Sequence, residues 1–185
     1  MSFGRSEIVT LIVIVGVVVS IGVFTFISSS SQSTETSEAT RALGDTEVGA
    51  PFTDINGNPF SLEQFDGKVR VVNSWATWCP FCITELPDFG LLSSEFSPDE
   101  VVVIAINRKE DKARVRAFID QIGSLGTIIF VQDPNDIFYK SIGGFSMPET
   151  VFYDREGNVS FHKHGFMTLK EMREHTNTAL SATNK

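Results

Sequence analysis

The sequence predicts an α/β domain in which a central mixed β-sheet carries helices on both faces, preceded by one N-terminal transmembrane helix. Three observations support this fold class. Short apolar runs suited to buried strands alternate with segments of helical periodicity. Two further strand-like runs flank a turn and are followed by a last helix. A separate apolar run without charges lies near the N-terminus.

Composition limits the function classes. The chain has 185 residues, of which 42% are hydrophobic and 16 are Phe, so one domain with a real core is expected. The net charge is -8 and no Lys/Arg cluster occurs. Since nucleic-acid binding needs a basic face, we expect no nucleic-acid partner. The two cysteines lie only three positions apart, which indicates neither a disulfide-stapled fold nor a complete structural zinc site.

The N-terminal run predicts a membrane anchor. Residues 8–27 carry no charge, and about 20 helical residues span about 30 Å, the hydrocarbon thickness of a bilayer. A cleaved signal peptide remains the alternative, although its apolar region is usually shorter, about 7–15 residues. Arg5 precedes the run, and no basic residue follows until Arg41. The positive-inside bias therefore predicts a cytoplasmic tail over residues 1–7 and a catalytic domain outside the cytoplasmic (inner) membrane.

A linker and one domain follow the anchor. Residues 28–46 are rich in Ser, Thr and Glu, which predicts a flexible tether. The domain is expected over residues 47–183. It begins with a short strand near residues 49–52 and a turn at residues 56–59, followed by a helical turn over residues 61–65 capped by a serine.

The first strong strand is predicted over residues 69–75, whose nearly continuous apolar run suits a central strand covered on both faces. The chain then enters Cys79-Pro80-Phe81-Cys82, and apolar residues recur after it at helical spacing. Proline is tolerated in the first turn of a helix, so the two cysteines are expected to begin a helix. The remaining predictions are strands at 101–106 and 127–131, a helix with an apolar stripe from Val115 to Ile122 that ends at Gly123, a short helix at 135–141, strands at 150–153 and 159–164 around a turn at 154–158, and a closing helix at 169–180.

The spacing of the two cysteines indicates redox chemistry. Thiol–disulfide exchange requires a thiolate that attacks and a second thiol that releases the mixed disulfide. A helix N-terminus favours negative charge and lowers a Cys pKa from about 8.5 to about 3.5–7.5. Cys79 is therefore the expected nucleophile and Cys82, one turn later, the resolving thiol. The redox-active disulfide Cys79–Cys82 then serves without any separate cofactor.

A family resemblance supports this interpretation. Residues 71–82 (Val-Val-Asn-Ser-Trp-Ala-Thr-Trp-Cys-Pro-Phe-Cys) resemble the active-site segment of the membrane-anchored TlpA/DsbE-like (ResA-type) thioredoxins. Gly49-x-Pro51-Phe52 and residues 65–68 match the same family upstream, and Pro148-Glu149-Thr150 resembles its proline loop. The resemblance covers nearly all of residues 48–182 and implies a thioredoxin fold. It also implies two partners: a cysteine-containing client such as apocytochrome c, and a membrane thiol electron carrier of the CcdA/DsbD type.

The resemblance also implies individual roles. Pro148 matches the cis-proline of thioredoxin folds, and Met147 before it would face the substrate. Trp78, Pro80 and Phe81 lie beside the dithiol and are expected to contact the substrate as well.

Glu85 is the expected acid–base group for Cys82. Asn73 occupies the place of a buried aspartate in many cytoplasmic thioredoxins, and in the membrane-anchored group a glutamate after the dithiol resembles its substitute. Glu85 lies three residues after Cys82, on the same helix face. An exposed helix glutamate remains the alternative.

Three functions stay open at this point. A protein-disulfide reductant is favoured, because Phe81 between the cysteines offers the thiolate neither a hydrogen bond nor a positive charge. A disulfide-forming oxidase and a non-catalytic thioredoxin-like binding module are the alternatives. His162 and His164 would share one face of a strand, but with no third ligand near them in sequence no metal site is expected.

Overall fold

The computed structural model describes residues 51–182. The predicted cytoplasmic tail, anchor and linker, and the start of the domain at residue 47, lie outside the described residues. Within residues 51–182, no helix is both long and apolar enough to cross a membrane.

The described elements form one seven-stranded mixed sheet with helices on both faces, as predicted. The strand order is β2-β1-β5-β4-β3-β6-β7, in which β3, β4 and β5 are parallel and the other neighbours antiparallel. The elements are β1 (Phe52–Asp54), β2 (Pro59–Phe60), a 3₁₀ turn (Leu62–Phe65), β3 (Val69–Trp75), α1 (Pro80–Glu95), β4 (Val101–Arg108), α2 (Lys112–Ile122), β5 (Ile129–Asp133), α3 (Ile137–Ser141), β6 (Glu149–Tyr153), β7 (Val159–His164) and α4 (Leu169–Ser181).

Strand β3 is the buried centre of the sheet, with β4 on one side and β6 on the other. Every one of its residues is buried, which explains its nearly continuous apolar sequence. Arg70 is the one charged residue of β3. Its guanidinium donates to Asp66 at 2.9 Å and lies 5.4 Å from the centre of the Tyr153 ring. Because β3 is a central strand, the Cys79 segment that follows it lies near the middle of the sheet, at the C-terminal end of β3.

The two faces of the sheet bury separate cores. Val71 packs with Phe89 of α1 and Met172 of α4 on one face. Val72, the next residue of β3, packs with Phe138 of α3 on the other face. This alternation along β3 follows the two-residue period of a strand, so α1 and its cysteines lie on the Val71 face.

Strand β5 begins two residues later than predicted, because Thr127 is bound to a helix instead of the sheet. The Thr127 amide donates to Ser93 Oγ at 2.9 Å, and the Thr127 hydroxyl donates to the Ser93 carbonyl at 3.0 Å. Both contacts join α1, 34 positions earlier in the chain. Such a long-range contact leaves no mark in local periodicity.

Candidate active site

The two cysteines form a disulfide at the start of α1. Cys79 is the N-cap residue, its Sγ accepts a hydrogen bond from the Cys82 amide at 3.1 Å, and Pro80 occupies the first helical turn. Cys82 is completely buried, whereas Cys79 keeps 3% of its surface exposed. An incoming thiol or disulfide therefore reaches Cys79 first, in the order that the sequence predicts for nucleophile and resolving thiol.

The loop before the dithiol is fastened by Glu110, a residue that the sequence analysis did not identify. Its carboxylate accepts from the Thr77 amide at 2.7 Å, from the Thr77 hydroxyl at 2.6 Å and from Asn107 Nδ2 at 2.8 Å. Thr77 lies two positions before Cys79, so Glu110 fixes the path by which the chain leaves β3 and enters α1. The 33-residue separation from Thr77 explains why no local pattern reveals it.

The peptide bond between Met147 and Pro148 is cis, as the family resemblance implies. Pro148 is buried, and Met147 packs against the apolar cluster that contains Cys79 and Cys82. The structure thus brings these two predicted residues to the dithiol from a segment more than 60 positions away in the sequence.

Exposed aromatic side chains border the dithiol. Trp78 and Phe81, both predicted, are 58% and 63% exposed. Phe166 is partly exposed and its ring centroid lies 6.4 Å from that of Phe81. Large exposed apolar side chains in one region indicate a binding surface, to which Phe166 is an addition that local sequence patterns do not reveal.

Glu85 is buried, so the alternative of an exposed helix glutamate is wrong. Its side chain has no exposed surface and accepts from Asn73 Nδ2 at 2.8 Å and from the Met167 amide at 3.2 Å. Burial outweighs these two hydrogen bonds and raises the pKa of Glu85 to about 8. Glu85 and Cys82 are buried on the same face of α1, one turn apart. Its acid–base role remains a prediction.

Asn73 and Glu85, the two residues linked in the sequence analysis, are hydrogen-bonded to each other. Asn73 Nδ2 also lies 3.1 Å from Thr150 Oγ1, while Asn73 Oδ1 is buried without a partner. Turning the amide by half a turn places Oδ1 where it accepts from a protonated Glu85 carboxyl and from the Thr150 hydroxyl. The pair can therefore accommodate Glu85 with or without its proton.

His162 and His164 lie on β7 and both face Glu149 of β6. No local sequence pattern marks Glu149 as a third ligand, because it is 13 positions from His162. Antiparallel pairing of β6 and β7 brings the three side chains together.

Comparison with known proteins gives a consistent result. The profile of the Redoxin family matches residues 35–180 of the chain. The "Thiol-disulfide oxidoreductase ResA" of Geobacillus thermodenitrificans (strain NG80-2) is 29% identical over 134 residues, which are 72% of this chain and 76% of that protein. The "Thioredoxin-like protein YneN" of Bacillus subtilis (strain 168) is 31% identical over 123 residues, 65% of this chain and 70% of that one.

Solved structures share the fold. The crystal structure of a thiol:disulfide interchange protein of the thioredoxin family from Chlorobium tepidum TLS superposes with a TM-score of 0.59 at 26% identity. The match covers 70% of this chain and 91% of that one. The structure of dsbF from MTB, in mixed oxidized and reduced forms, gives a TM-score of 0.62 at 24% identity, over 69% and 92% of the two chains. The described domain therefore has a thioredoxin-like α/β fold.

Proposed function

This chain belongs to the Redoxin family, and from that premise we propose that it reduces disulfide bonds of client proteins outside the cytoplasm. Its reaction is thiol–disulfide exchange, and it is a thiol–disulfide oxidoreductase. One observation carries the assignment: the Cys79–Cys82 pair begins a helix, with only Cys79 reachable from solvent.

The reaction runs through a mixed disulfide. The Cys79 thiolate attacks one sulfur of the client disulfide, so that a bond forms between Cys79 and the client while the second client sulfur leaves as a thiolate. Cys82 then loses its proton and attacks Cys79 Sγ, which releases the first client sulfur. Two electrons pass to the client, which ends with two thiols once protons are taken up, and the Cys79–Cys82 disulfide of the present structure is the product.

Glu85 is suited to move the proton of Cys82. Its pKa of about 8 lies close enough to neutral pH for the carboxyl both to give up and to take back a proton there. In the oxidised protein Glu85 holds a proton at neutral pH. When an electron donor opens the disulfide at Cys79, Glu85 supplies that proton to the departing Cys82 sulfur, directly or through water. During client reduction the carboxylate takes the proton back.

One feature of the site supports the direction towards reduction. Phe81 between the cysteines offers the Cys79 thiolate no hydrogen bond or charge, and it points mainly into solvent. Without such stabilisation of its thiolate the reduced form is less favoured, which suits an electron donor better than a strong oxidant. The relatives named ResA and DsbE support a client with paired cysteines, for which apocytochrome c is the proposed example. A membrane thiol carrier of the CcdA/DsbD type would then return electrons to Cys79.

The proposed location follows from the sequence. The apolar run over residues 8–27 would anchor the chain in the cytoplasmic membrane, with the charge bias placing residues 47–183 outside. Labelling of Cys79 in intact cells under reducing conditions, with a maleimide that cannot cross membranes, tests this location. Labelling only after lysis would contradict it.

A redox titration against glutathione tests the direction of electron flow. We expect a potential near the reducing end of the range found in this fold, about -270 mV, and a value near -120 mV would identify an oxidase instead. In an insulin-reduction assay the full-length chain should be active and Cys79→Ala inactive. Equal activity of the two proteins would favour a non-catalytic binding module.

Client binding is tested separately. Cys82→Ala should trap a mixed disulfide between Cys79 and its natural client, which can then be identified. Trp78→Ala and Phe81→Ala should lower the yield of this trapped complex. Leu91→Ala is the matched control, because Leu91 is a similarly exposed apolar residue farther along α1. An equal loss with Leu91→Ala would remove the proposed role of the two aromatic residues.

A further inference from the structure

Three side chains with metal-binding atoms meet at the edge of the sheet. Glu149 pairs directly with His164 across β6 and β7, and His162 lies two residues away on the same face of β7. His162 Nε2 is 2.9 Å from Glu149 Oε2, and His164 Nδ1 is 3.3 Å from Glu149 Oε1. One atom of each side chain lies within 4.8 Å of the other two. The three groups converge without any rearrangement of the backbone.

This cluster is separate from the dithiol. Glu149 shares a face of β6 with Val151, which packs with Val72 and Phe138 on the side of the sheet opposite α1. Cys79 and Cys82 belong to the other face. Strand β7 is also the edge strand of the described sheet, and the His162 and His164 side chains keep 21% and 39% of their surface exposed. An ion can therefore reach the cluster from solvent while the disulfide is intact.

We propose that Glu149, His162 and His164 bind a divalent transition-metal ion, with Zn²⁺ as the best fit. Two imidazoles and one carboxylate are a ligand set that Zn²⁺ accepts with tetrahedral geometry, leaving the fourth position to water or an external ligand. Ca²⁺ and Mg²⁺ prefer sets made entirely of oxygen atoms. The solvent-facing side of the cluster provides the fourth position.

The distances suit such an ion. Zn–N and Zn–O bonds of about 2.1 Å in a tetrahedron place neighbouring ligand atoms about 3.4 Å apart. The contacts are 2.9 Å from His162 Nε2 to Glu149 Oε2 and 3.3 Å from His164 Nδ1 to Glu149 Oε1, and one atom of each of the three side chains lies within 4.8 Å of the other two, so modest side-chain rotations bring one carboxylate oxygen and both imidazole nitrogens to this spacing. In the metal-free protein the hydrogen bond between His162 Nε2 and the Glu149 carboxylate has the imidazole nitrogen as donor, and His164 Nδ1 faces the other carboxylate oxygen. The ion takes the place of any proton on these two facing nitrogens, and each neutral imidazole carries its proton on the other ring nitrogen.

The carboxylate is already oriented for this role. Glu149 is fully buried, and its Oε1 accepts from the Phe145 amide at 2.8 Å and from the Ser146 amide at 2.7 Å. Such additional hydrogen bonds hold a metal-binding carboxylate in position. They also join the cluster to the segment that carries Met147, so a bound ion would restrain the loop beside the dithiol from the opposite face of the sheet.

Calorimetric titration of the purified, untagged, full-length chain with Zn²⁺ tests the proposal. The protein is kept oxidised, so that the thiols of Cys79 and Cys82 cannot bind the ion. We expect one Zn²⁺ per chain, and affinity at least tenfold lower for His162→Gln and for His164→Gln. Co²⁺ should give the visible absorption of a four-coordinate site without a thiolate charge-transfer band.

The third histidine of the chain supplies the control. His175 stacks on Phe161 away from the cluster, so His175→Gln should keep the affinity of the original chain. Circular dichroism would verify that each variant folds, which is expected for two partly exposed residues on an edge strand. Absence of stoichiometric binding overturns the proposal. The proposal is also overturned if His162→Gln and His164→Gln bind Zn²⁺ as tightly as the original chain, or if His175→Gln loses as much affinity as they do. Binding of Zn²⁺ by the reduced protein alone would overturn it as well.

Discussion

The buried carboxyl of Glu85 makes a quantitative prediction about stability and pH. Glu85→Gln removes the ionisable group and keeps the size and most of the hydrogen-bonding capacity of the side chain. The pKa of Glu85 rises from 4.5 to about 8 in the folded protein, chiefly because of burial. Each pKa unit corresponds to about 1.36 kcal/mol, so the full change corresponds to roughly 5 kcal/mol of folding free energy.

The sign follows from proton binding. Above pH 4.5 the unfolded chain releases the Glu85 proton, whereas the folded chain keeps it until about pH 8. The folded state then binds more protons, so its stability relative to the unfolded state falls as pH rises. The contribution of Glu85 is fully present below pH 4.5 and is lost as pH rises through about 8. The Glu85→Gln variant has no carboxyl at this position, so its stability lacks this loss at high pH.

Urea unfolding of the oxidised protein, followed at several pH values from below 4.5 to above 8, measures this effect. The free energy of unfolding of Glu85→Gln minus that of the original chain should increase by up to about 1.4 kcal/mol per pH unit, towards a total of roughly 5 kcal/mol. A difference that stays constant over the whole range would show that Glu85 titrates as an ordinary carboxyl. The proposed proton transfer to Cys82 would then lose its physical basis.

Three further predictions concern residues outside the dithiol. Glu171 caps α4, and hydrogen bonds from Thr168 and Lys163 lower its pKa to about 2. The contribution of Glu171 to the free energy of unfolding is therefore present above pH 4.5 and lost as pH falls through about 2. The free energy of unfolding of the original chain minus that of Glu171→Gln should shrink in acid, whereas the contribution of Glu85 is lost as pH rises. Glu110→Ala should lower the free energy of unfolding by about 1–3 kcal/mol and slow insulin reduction, because it leaves buried donors unpaired. Glu110→Gln should retain both properties, since its amide oxygen can still accept from those donors, and a full loss in this variant would contradict the argument. Gly126→Ala should destabilise the protein by about 1–3 kcal/mol more than Gly123→Ala in urea unfolding, because both have positive φ but only the added Cβ at 126 meets the backbone and serines of α1. Equal destabilisation by the two substitutions would show that α1 shifts at little cost to accommodate the added Cβ at 126.

Much of the fold follows from local sequence patterns. The bounds of β3 and β7 agree with prediction, and the dithiol begins a helix as its proline and the following periodicity indicate. These features depend on residues close together in the chain, where the periods of strand and helix are visible.

The features that the sequence left open or did not reveal depend on long-range contacts. Glu85 is recognised as buried only once the Met167 amide, 82 positions later, is seen to donate to it. The His162–His164 pair gained its third ligand only through the pairing of β6 with β7. Sequence periodicity indicates which residues share a face, but it does not indicate which element will cover that face or what polar groups that element carries.

The disulfide between Cys79 and Cys82 closes a very short loop, with a sequence separation of 3. In the chain-entropy description a loop of four residues restricts the unfolded chain by only about 2 kcal/mol, against nearly 5 kcal/mol for a loop of 100 residues. The buried sheet and helices, not this bond, thus supply most of the stability. The molecule can give up and regain its two electrons in every cycle and keep its architecture each time, which is what an electron carrier used repeatedly requires.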